Sequence, residues 1–140
     1  MDSAPRGPIR VLIADGDPLV CRALVRLLQD AGDLEVVATA STAETVLALA
    51  TQLQPAVVVV DAQTARLDGL AVTRRLGQQV PATRVVVVSV YATLCDAALA
   101  AGACQCLLKD GSRAELVAAI RLAAQGHCQA AGAAGLGLAG

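Results

Sequence analysis

Short runs of apolar residues alternate along the chain with longer stretches in which apolar residues recur every three or four positions. The short runs predict buried strands, and the spaced stretches predict amphipathic helices. The five predicted strands cover residues 9–14, 34–40, 57–60, 85–89 and 104–108. The five predicted helices end near residues 31, 53, 76, 101 and 124. Each strand is followed by a helix, so the pattern predicts five strand–helix units.

Polar residues and glycines mark where several of these helices begin and end. Asp17 is placed to cap the first helix, with Pro18 at its first helical position, where a missing N–H costs nothing. Ser41 or Thr42, Asp68 and Ser112 are placed to begin later helices, and Gly32 and Gly102 are placed to end two of them.

The predicted strands are continuously apolar rather than alternating, as in the block 57–60. Strands of this kind are buried on both faces, which is typical of a parallel sheet covered by helices on each side. We therefore predict an α/β fold with a doubly wound parallel sheet in one domain at residues 9–125. Residues 1–8 are predicted to be an N-terminal tail, and the Gly/Ala-rich residues 126–140 a tail or the remnant of a linker.

Composition and charge argue against several classes of function. The 140 residues carry a formal net charge of -1, which argues against nucleic-acid binding by the chain itself. One Tyr and no Phe or Trp make an aromatic ligand cavity a poor prediction. The longest uncharged stretch, 122–140, contains Gln, His and many Gly, so we expect no membrane span.

The five cysteines form an odd count without a regular framework. The short polar N-terminus is not typical of a secretory leader, so we expect a cytoplasmic protein whose thiols act as small apolar residues. Cys104, Cys106, His127 and Cys128 could be considered as a zinc site. Their spacing is unusual for tetrahedral zinc, and period two along a strand predicts that Cys104 and Cys106 share one face.

Four polar residues stand at the ends of predicted strands: Asp15, Asp61, Ser89 and Lys109. In an open parallel sheet, ligands bind outside the carboxyl ends of the strands, where the strand order reverses. An order of 2-1-3-4-5 would bring Asp15 and Asp61 together. Crowded carboxylates favour Mg²⁺, while a Lys and a Ser could bind phosphoryl oxygens. This set predicts phosphoryl transfer to an Asp nucleophile.

Each of these residues also has a simpler interpretation when it is taken alone. Asp15 and Asp17 could be helix caps, Ser89 a polar strand end, and Lys109 a solvated turn residue. The phosphoryl-transfer hypothesis therefore depends on finding all of them at matching strand ends.

From Ile9 to Gln125 the chain resembles a response-regulator receiver domain of the LuxR/FixJ type. The segments that carry the resemblance are Val11–Pro18, Val60–Asp61, Leu67–Leu70, Val88–Tyr91, Ala101–Ala103 and Leu107–Asp110. The resemblance implies a flavodoxin-like (βα)5 fold and a two-component signalling function in the cytoplasm.

By that resemblance, Asp61 accepts a phosphoryl group from a histidine kinase. Asp15 helps to hold Mg²⁺, and the backbone carbonyl of Gln63 is a further metal ligand. Ser89 is the switch hydroxyl, and Lys109 pairs with the phosphoryl group. A weak homodimer that responds to phosphorylation is also expected, and a DNA-binding output domain would lie outside this chain.

The sequence departs from the receiver pattern at three positions. Gly16 stands where receivers carry a second acid, so Asp17, one position later, becomes an additional metal candidate. Ala65 replaces a Pro in the loop after the acceptor. Cys106 replaces the aromatic switch partner on the fifth strand, a function for which Tyr91 is a substitute candidate.

Two alternative functions remain open. A degenerate receiver that acts by protein contact without phosphorylation is favoured by Gly16. A phosphatase of the haloacid-dehalogenase type is suggested by Asp15-Gly16-Asp17, but Asp110 and Glu115 are poor candidates for the acidic pair that such an enzyme also needs. A flavodoxin would need a phosphate-cradling loop and aromatic residues that the sequence lacks.

Overall fold

The computed structural model describes residues 7–62, 64 and 66–129. Its strands are β1 (Ile9–Ala14), β2 (Leu34–Ala40), β3 (Val57–Asp61), β4 (Arg84–Ser89) and β5 (Gln105–Leu108). Its helices are α1 (Pro18–Gln29), α2 (Ala43–Leu53), α3 (Gly69–Gln79), α4 (Ala92–Ala100) and α5 (Arg113–Ala124). The five predicted strand–helix units are confirmed.

All strand pairs are parallel, and the sheet order is β2-β1-β3-β4-β5. The predicted flavodoxin-like α/β fold is therefore confirmed. Every residue of β3 is buried, because this strand lies in the middle of the sheet and is covered on both faces. The reversal of strand order between β1 and β3 opens a crevice at their carboxyl ends.

The two faces of the sheet form two separate cores. One face packs against α2, α3 and α4, and its largest fully buried side chains include Leu12, Val46 and Leu76. The other face packs against α1 and α5, where Ile13, Leu28 and Ile120 are fully buried. No helix in the described part of the chain is long and apolar enough to cross a bilayer.

Most of the predicted helix starts are confirmed by capping hydrogen bonds. The side chains of Asp17, Thr42, Asp68 and Ser112 each accept a backbone N–H in the first turn of their helix. The predicted end of α3 at Leu76 was too early, since the helix continues to Gln79. The added residues give no apolar periodicity, although their backbone stays helical and the N–H of Val80 still bonds to Leu76 O at 2.8 Å.

Four of the five cysteines form disulfides, which corrects the expectation that they are free thiols. Cys95 of α4 is joined to Cys106 of β5, and Cys104 is joined to Cys128 beyond α5. Cys21 is free and buried, as expected for a small apolar residue. The pairs could not be found by spacing, because only the folded chain brings α4 and the residues after α5 against β5.

The prediction that Cys104 and Cys106 share one face of a strand was also wrong. Cys104 belongs to the core on the α1–α5 face, and Cys106 belongs to the core on the α2–α3–α4 face. Strand β5 begins only at Gln105, so Cys104 precedes the regular alternation of side chains. Because Cys104, Cys106 and Cys128 are all in disulfides, the zinc alternative is excluded.

Candidate functional site

Three strands bring Asp15, Asp61 and Lys109 together at the carboxyl edge of the sheet. Asp15 follows β1, Asp61 ends β3, and Lys109 follows β5. The two carboxylates are 2% and 4% exposed, and Lys109 Nζ makes an ion pair with Asp61 Oδ2. The N–H of Lys109 also donates to Ser89 O at 2.8 Å, which fixes the start of its loop against the end of β4.

Asp15 is held in a site that disfavours its charge. Burial, together with the nearby Asp61 carboxylate, raises the pKa of Asp15, although the backbone N–H of Asp17 and the Lys109 ammonium act in the opposite direction. The backbone N–H of Asp17 donates to Asp15 Oδ1 at 2.9 Å. The two buried carboxylates therefore form a locally anionic pair that a cation or a proton would stabilise.

The side chain of Asp17 makes a structural contact at the start of α1. This side chain is exposed, and Oδ1 accepts the N–H of Leu19 at 2.9 Å as the cap of α1. Its carboxylate lies at the rim of the cavity described next, whereas Asp15 lies buried beneath it. The helix-cap interpretation of Asp17 is confirmed.

A shallow cavity of about 420 Å³ opens over the buried carboxylates. Acidic and basic side chains line it together: Asp15, Asp17, Asp61, Arg66 and Lys109. Thr64 also lines it. Thr64 and Arg66 were not predicted as site residues, although their position three and five residues after Asp61 was a usable signal, because the loop after a strand borders the same edge.

Thr64 occupies the space beside Gly16. A Cβ atom added at Gly16 would meet the Thr64 Oγ1 atom and lie 3.0 Å from its Cβ and 3.2 Å from the Arg66 backbone nitrogen. A hydrogen bond of 3.4 Å from Thr64 Oγ1 to Leu67 O holds the side chain across the loop. The carboxylate missing at position 16 is therefore replaced by a packed hydroxyl rather than by open space.

Helix α3 starts directly against the end of β3, where Asp61 lies. A Cβ atom at Gly69 would collide with the backbone oxygen of Asp61 and approach the Cα of Ala62 to 2.7 Å. The N–H of Gly69 donates to Ala62 O at 3.2 Å. Glycine is needed here for close approach, and this contact holds Asp61 in position. Gln63 and Ala65, which were predicted to affect the metal and the loop, lie outside the described residues.

Comparison with known proteins agrees with this arrangement. The response regulator receiver domain profile matches residues 11–121. The chain belongs to the response regulator receiver family. Such domains are the signal-receiving part of two-component systems, as the sequence resemblance implied.

The curated relatives that the chain matches include response regulators. The response regulator GacA of Pseudomonas viridiflava is 37% identical over 125 residues, which cover 85% of this chain and 56% of that protein. The chain spans little more than half the length of this and the other first curated relatives that it matches.

Two solved structures show the same fold over nearly their whole length. The receiver domain of NarL from Mycobacterium tuberculosis is 31% identical and superposes with a TM-score of 0.79, covering 86% of this chain and 99% of that one. A LuxR-family response regulator from Aurantimonas is 26% identical with a TM-score of 0.83, covering 95% and 96%.

Ser89, the predicted switch hydroxyl of this receiver, is buried at the end of β4. Its Oγ accepts the N–H of Tyr91 and donates to Tyr91 O, both at 3.0 Å. The described residues that line the cavity do not include Ser89. The hydroxyl is therefore hydrogen-bonded into the loop between β4 and α4.

Tyr91 and Cys106 do not reproduce the aromatic switch of other receivers. The side chain of Tyr91 is 58% exposed, so it does not fill the core beside β5. Cys106 is joined to Cys95 in that core. The position of the aromatic partner is therefore taken by a covalent tie between α4 and β5.

The residues present can accommodate a hard divalent cation only partly. Two buried carboxylates and an adjacent cavity suit Mg²⁺, which takes one or two carboxylates together with water and phosphate oxygens. Among the described residues, no group of three or more His, Cys, Asp and Glu side chains is arranged to hold a metal. Any metal here would therefore be coordinated by few protein carboxylates.

Proposed function

We propose that this receiver, residues 9–125, accepts a phosphoryl group on Asp61 from a histidine kinase. The observation that carries the proposal is the buried Asp61 carboxylate, paired with Lys109 and open to the cavity at the reversal point of the sheet. A buried carboxylate paired with a more exposed Lys, at the crevice where such sheets bind ligands, is the arrangement expected of a reactive site.

The chemistry follows from the groups around Asp61. One carboxylate oxygen attacks phosphorus, the bond from phosphorus to the donor's leaving atom breaks, and its electron pair leaves with the donor. Lys109 lies where it can neutralise charge on a phosphoryl oxygen. Arg66, on the rim of the same cavity, adds a second positive charge.

Mg²⁺ would supply further charge neutralisation at the phosphoryl oxygens when it is bound. We propose Asp15, Asp61 and the backbone carbonyl of Gln63 as its protein ligands. Asp17 caps α1 and would contribute only from the rim of the cavity. Gly16 removes one carboxylate from the set, so this site depends less on the metal and more on Lys109 and Arg66 than a site with adjacent acids does.

Phosphorylated Asp61 would carry a charge of about -1.5 to -2, by analogy with other phosphorylated side chains, and draw Lys109 and the Ser89 hydroxyl inward. The Ser89 hydroxyl would have to exchange its two bonds to Tyr91, and α4 is tied to β5 through Cys95 and Cys106. We therefore propose that phosphorylation causes only a small conformational change. In the cytoplasm it would shift the equilibrium of a weak homodimer through contacts between helix surfaces.

Intact mass after incubation with Mg²⁺ and a small phosphodonor tests the proposal. We expect the wild-type protein to gain one phosphate and Asp61→Asn to gain none. Asp68→Asn is the matched control, because its side chain caps α3 and Asn caps a helix as well as Asp does. Phosphate on Asp15 would instead support the phosphatase alternative.

A contact-only receiver is the second candidate function, and the Gly16–Thr64 packing favours it because a metal ligand is replaced by a hydroxyl. In that case the wild-type protein would gain no phosphate from the donor or from a cognate kinase.

We infer that the chain is a signalling domain rather than a hydrolase. Its partner would be the kinase, and nucleic-acid binding would belong to any output domain outside this chain.

A further inference from the structure

The residues that follow α5 are attached to the free edge of the sheet. Strand β5 pairs with β4 alone among the described strands, which leaves one edge with unpaired backbone groups. Residues 126–129 turn back along that edge. The N–H of Gln129 donates to Cys104 O at 2.8 Å, and the N–H of Cys106 donates to Gln129 Oε1 at 3.0 Å.

Two further contacts hold this exit segment, defined as residues 126–129. The buried Gln105 side chain donates through Nε2 to His127 O at 2.7 Å. Cys128 is covalently joined to Cys104. The Cys104–Cys128 disulfide therefore lies at the centre of a hydrogen-bonded clamp, which fixes the position of Gln129 beside β5.

The two disulfides differ in how easily a reductant reaches them. Cys95 and Cys106 are 7% and 6% exposed, so both sulfurs of that bond are enclosed in the core. Cys104 is also buried, but Cys128 is exposed. Thiol–disulfide exchange needs an approach to one sulfur, and exposed disulfides are the labile ones.

We propose that Cys104–Cys128 is a redox site, reduced by dithiols, that controls the attachment of the exit segment to β5. This function goes beyond phosphorylation and does not depend on Asp61. Disulfides in proteins of a reducing compartment are usually redox-sensing or catalytic rather than permanent, which agrees with one accessible sulfur at a chain exit.

Reduction of Cys104–Cys128 takes two successive thiol–disulfide exchanges. A thiolate of the dithiol attacks Cys128 Sγ, the Cys104–Cys128 bond breaks, and its electron pair goes to Cys104 Sγ, which takes up a proton. The second thiolate of the reductant then attacks the mixed disulfide and releases Cys128, which is protonated in turn. Two electrons and two protons pass to the protein, and the dithiol becomes a disulfide.

Cys21 does not interfere with this chemistry. Its side chain is buried, which keeps reagents away from the thiol, and burial together with the nearby Asp15 carboxylate raises the pKa of that thiol. Cys21 therefore serves as an internal standard, which we expect an alkylating agent to reach only when the protein is denatured.

A titration of the full chain with dithiothreitol, followed by acid quench, denaturation, alkylation and peptide mass analysis, tests the order of reduction. The oxidised protein should carry one label, on Cys21. The first step should add two labels on Cys104 and Cys128, and a later step two more on Cys95 and Cys106. Five labels without reductant, or first reduction of Cys95–Cys106, would overturn the proposal.

Hydrogen exchange tests the conformational consequence. On reduction we expect the amides of Cys106 and Gln129 to exchange about tenfold faster, because the clamp then rests on hydrogen bonds alone. Cys128→Ser, a change at an exposed position, should show the fast rate in either buffer, whereas Cys95→Ala/Cys106→Ala should keep the response at Gln129. Equal exchange of Gln129 in oxidised and reduced wild-type protein would contradict redox control.

Discussion

Strand β3 in the centre of the sheet and strand β5 at its edge are stabilised in different ways. β3 is buried along its whole length, and ordinary packing against two helical layers positions Asp61. β5 pairs with β4 only. The Cys95–Cys106 disulfide attaches it to α4, and the Cys104–Cys128 disulfide and hydrogen bonds attach it to the exit segment. A central strand is determined by its apolar residues, while this edge strand depends on contacts that are distant in sequence.

The largest effect is expected at the centre. Gly69→Ala places a Cβ against the backbone of Asp61 and Ala62, which cannot move aside as a flexible side chain can. We expect it to lower the free energy of unfolding by about 3 kcal/mol, measured by urea denaturation, and to reduce phosphorylation of Asp61.

Gly77→Ala is the matched control in the same helix, since a Cβ there meets nothing within 4 Å. This change should stabilise the protein by about 0.5–1 kcal/mol through helix propensity. Equal effects of the two substitutions would show that close packing at Gly69 does not hold the end of β3 in place.

The tie between α4 and β5 should have the next largest effect. The Cys95–Cys106 disulfide closes a loop with a sequence separation of 11, so Cys95→Ala/Cys106→Val should cost about 2 kcal/mol in oxidising buffer. In reducing buffer the variant and the wild type should unfold at similar urea concentrations. Cys21→Ala, at the free cysteine, should leave the difference between the two buffers unchanged.

The same contrast explains what the sequence could predict. The run Val57–Val60 and the polar residue after it identified β3 and Asp61 because burial and strand direction depend on local pattern. Thr64 beside Gly16, and the partners of Cys104 and Cys106, depend on which distant segments meet in the folded chain. Sequence spacing carries no information about such contacts, and it wrongly predicted that Cys104 and Cys106 share one face.

A smaller effect concerns Mg²⁺ at the centre. Gly16→Asp restores a second acid, but its side chain must enter the space that Thr64 fills. We expect little gain in Mg²⁺ affinity from the single substitution and a several-fold gain from Gly16→Asp/Thr64→Ala, measured by isothermal titration calorimetry. Thr64→Ala alone is the control. A full gain from Gly16→Asp alone would mean that Thr64 does not block the position.

The smallest effects are expected at two carboxylates, one buried and one exposed. Their contributions to the free energy of unfolding should change with pH in opposite directions. Burial and Asp61 raise the pKa of Asp15 in the folded protein, so its charge costs stability once the pH rises above the unfolded value of about 3.9, and fully above the folded pKa. In metal-free buffer, Asp15→Asn should therefore stabilise the protein at neutral pH and have no such effect in strong acid.

Asp33, an exposed residue before β2, should behave in the opposite way. Hydrogen bonds of 2.8 and 2.9 Å from Arg121 lower its pKa, so its contribution is present above the unfolded pKa and is lost as the pH falls through the folded value. Asp33→Asn should destabilise slightly at neutral pH, and added salt should weaken the difference because both side chains are exposed. Urea denaturation of both variants between acid and neutral pH measures the two slopes. Slopes of the same sign would mean that Asp15 gains more from its contacts with Lys109 and the N–H of Asp17 than it loses by burial beside Asp61.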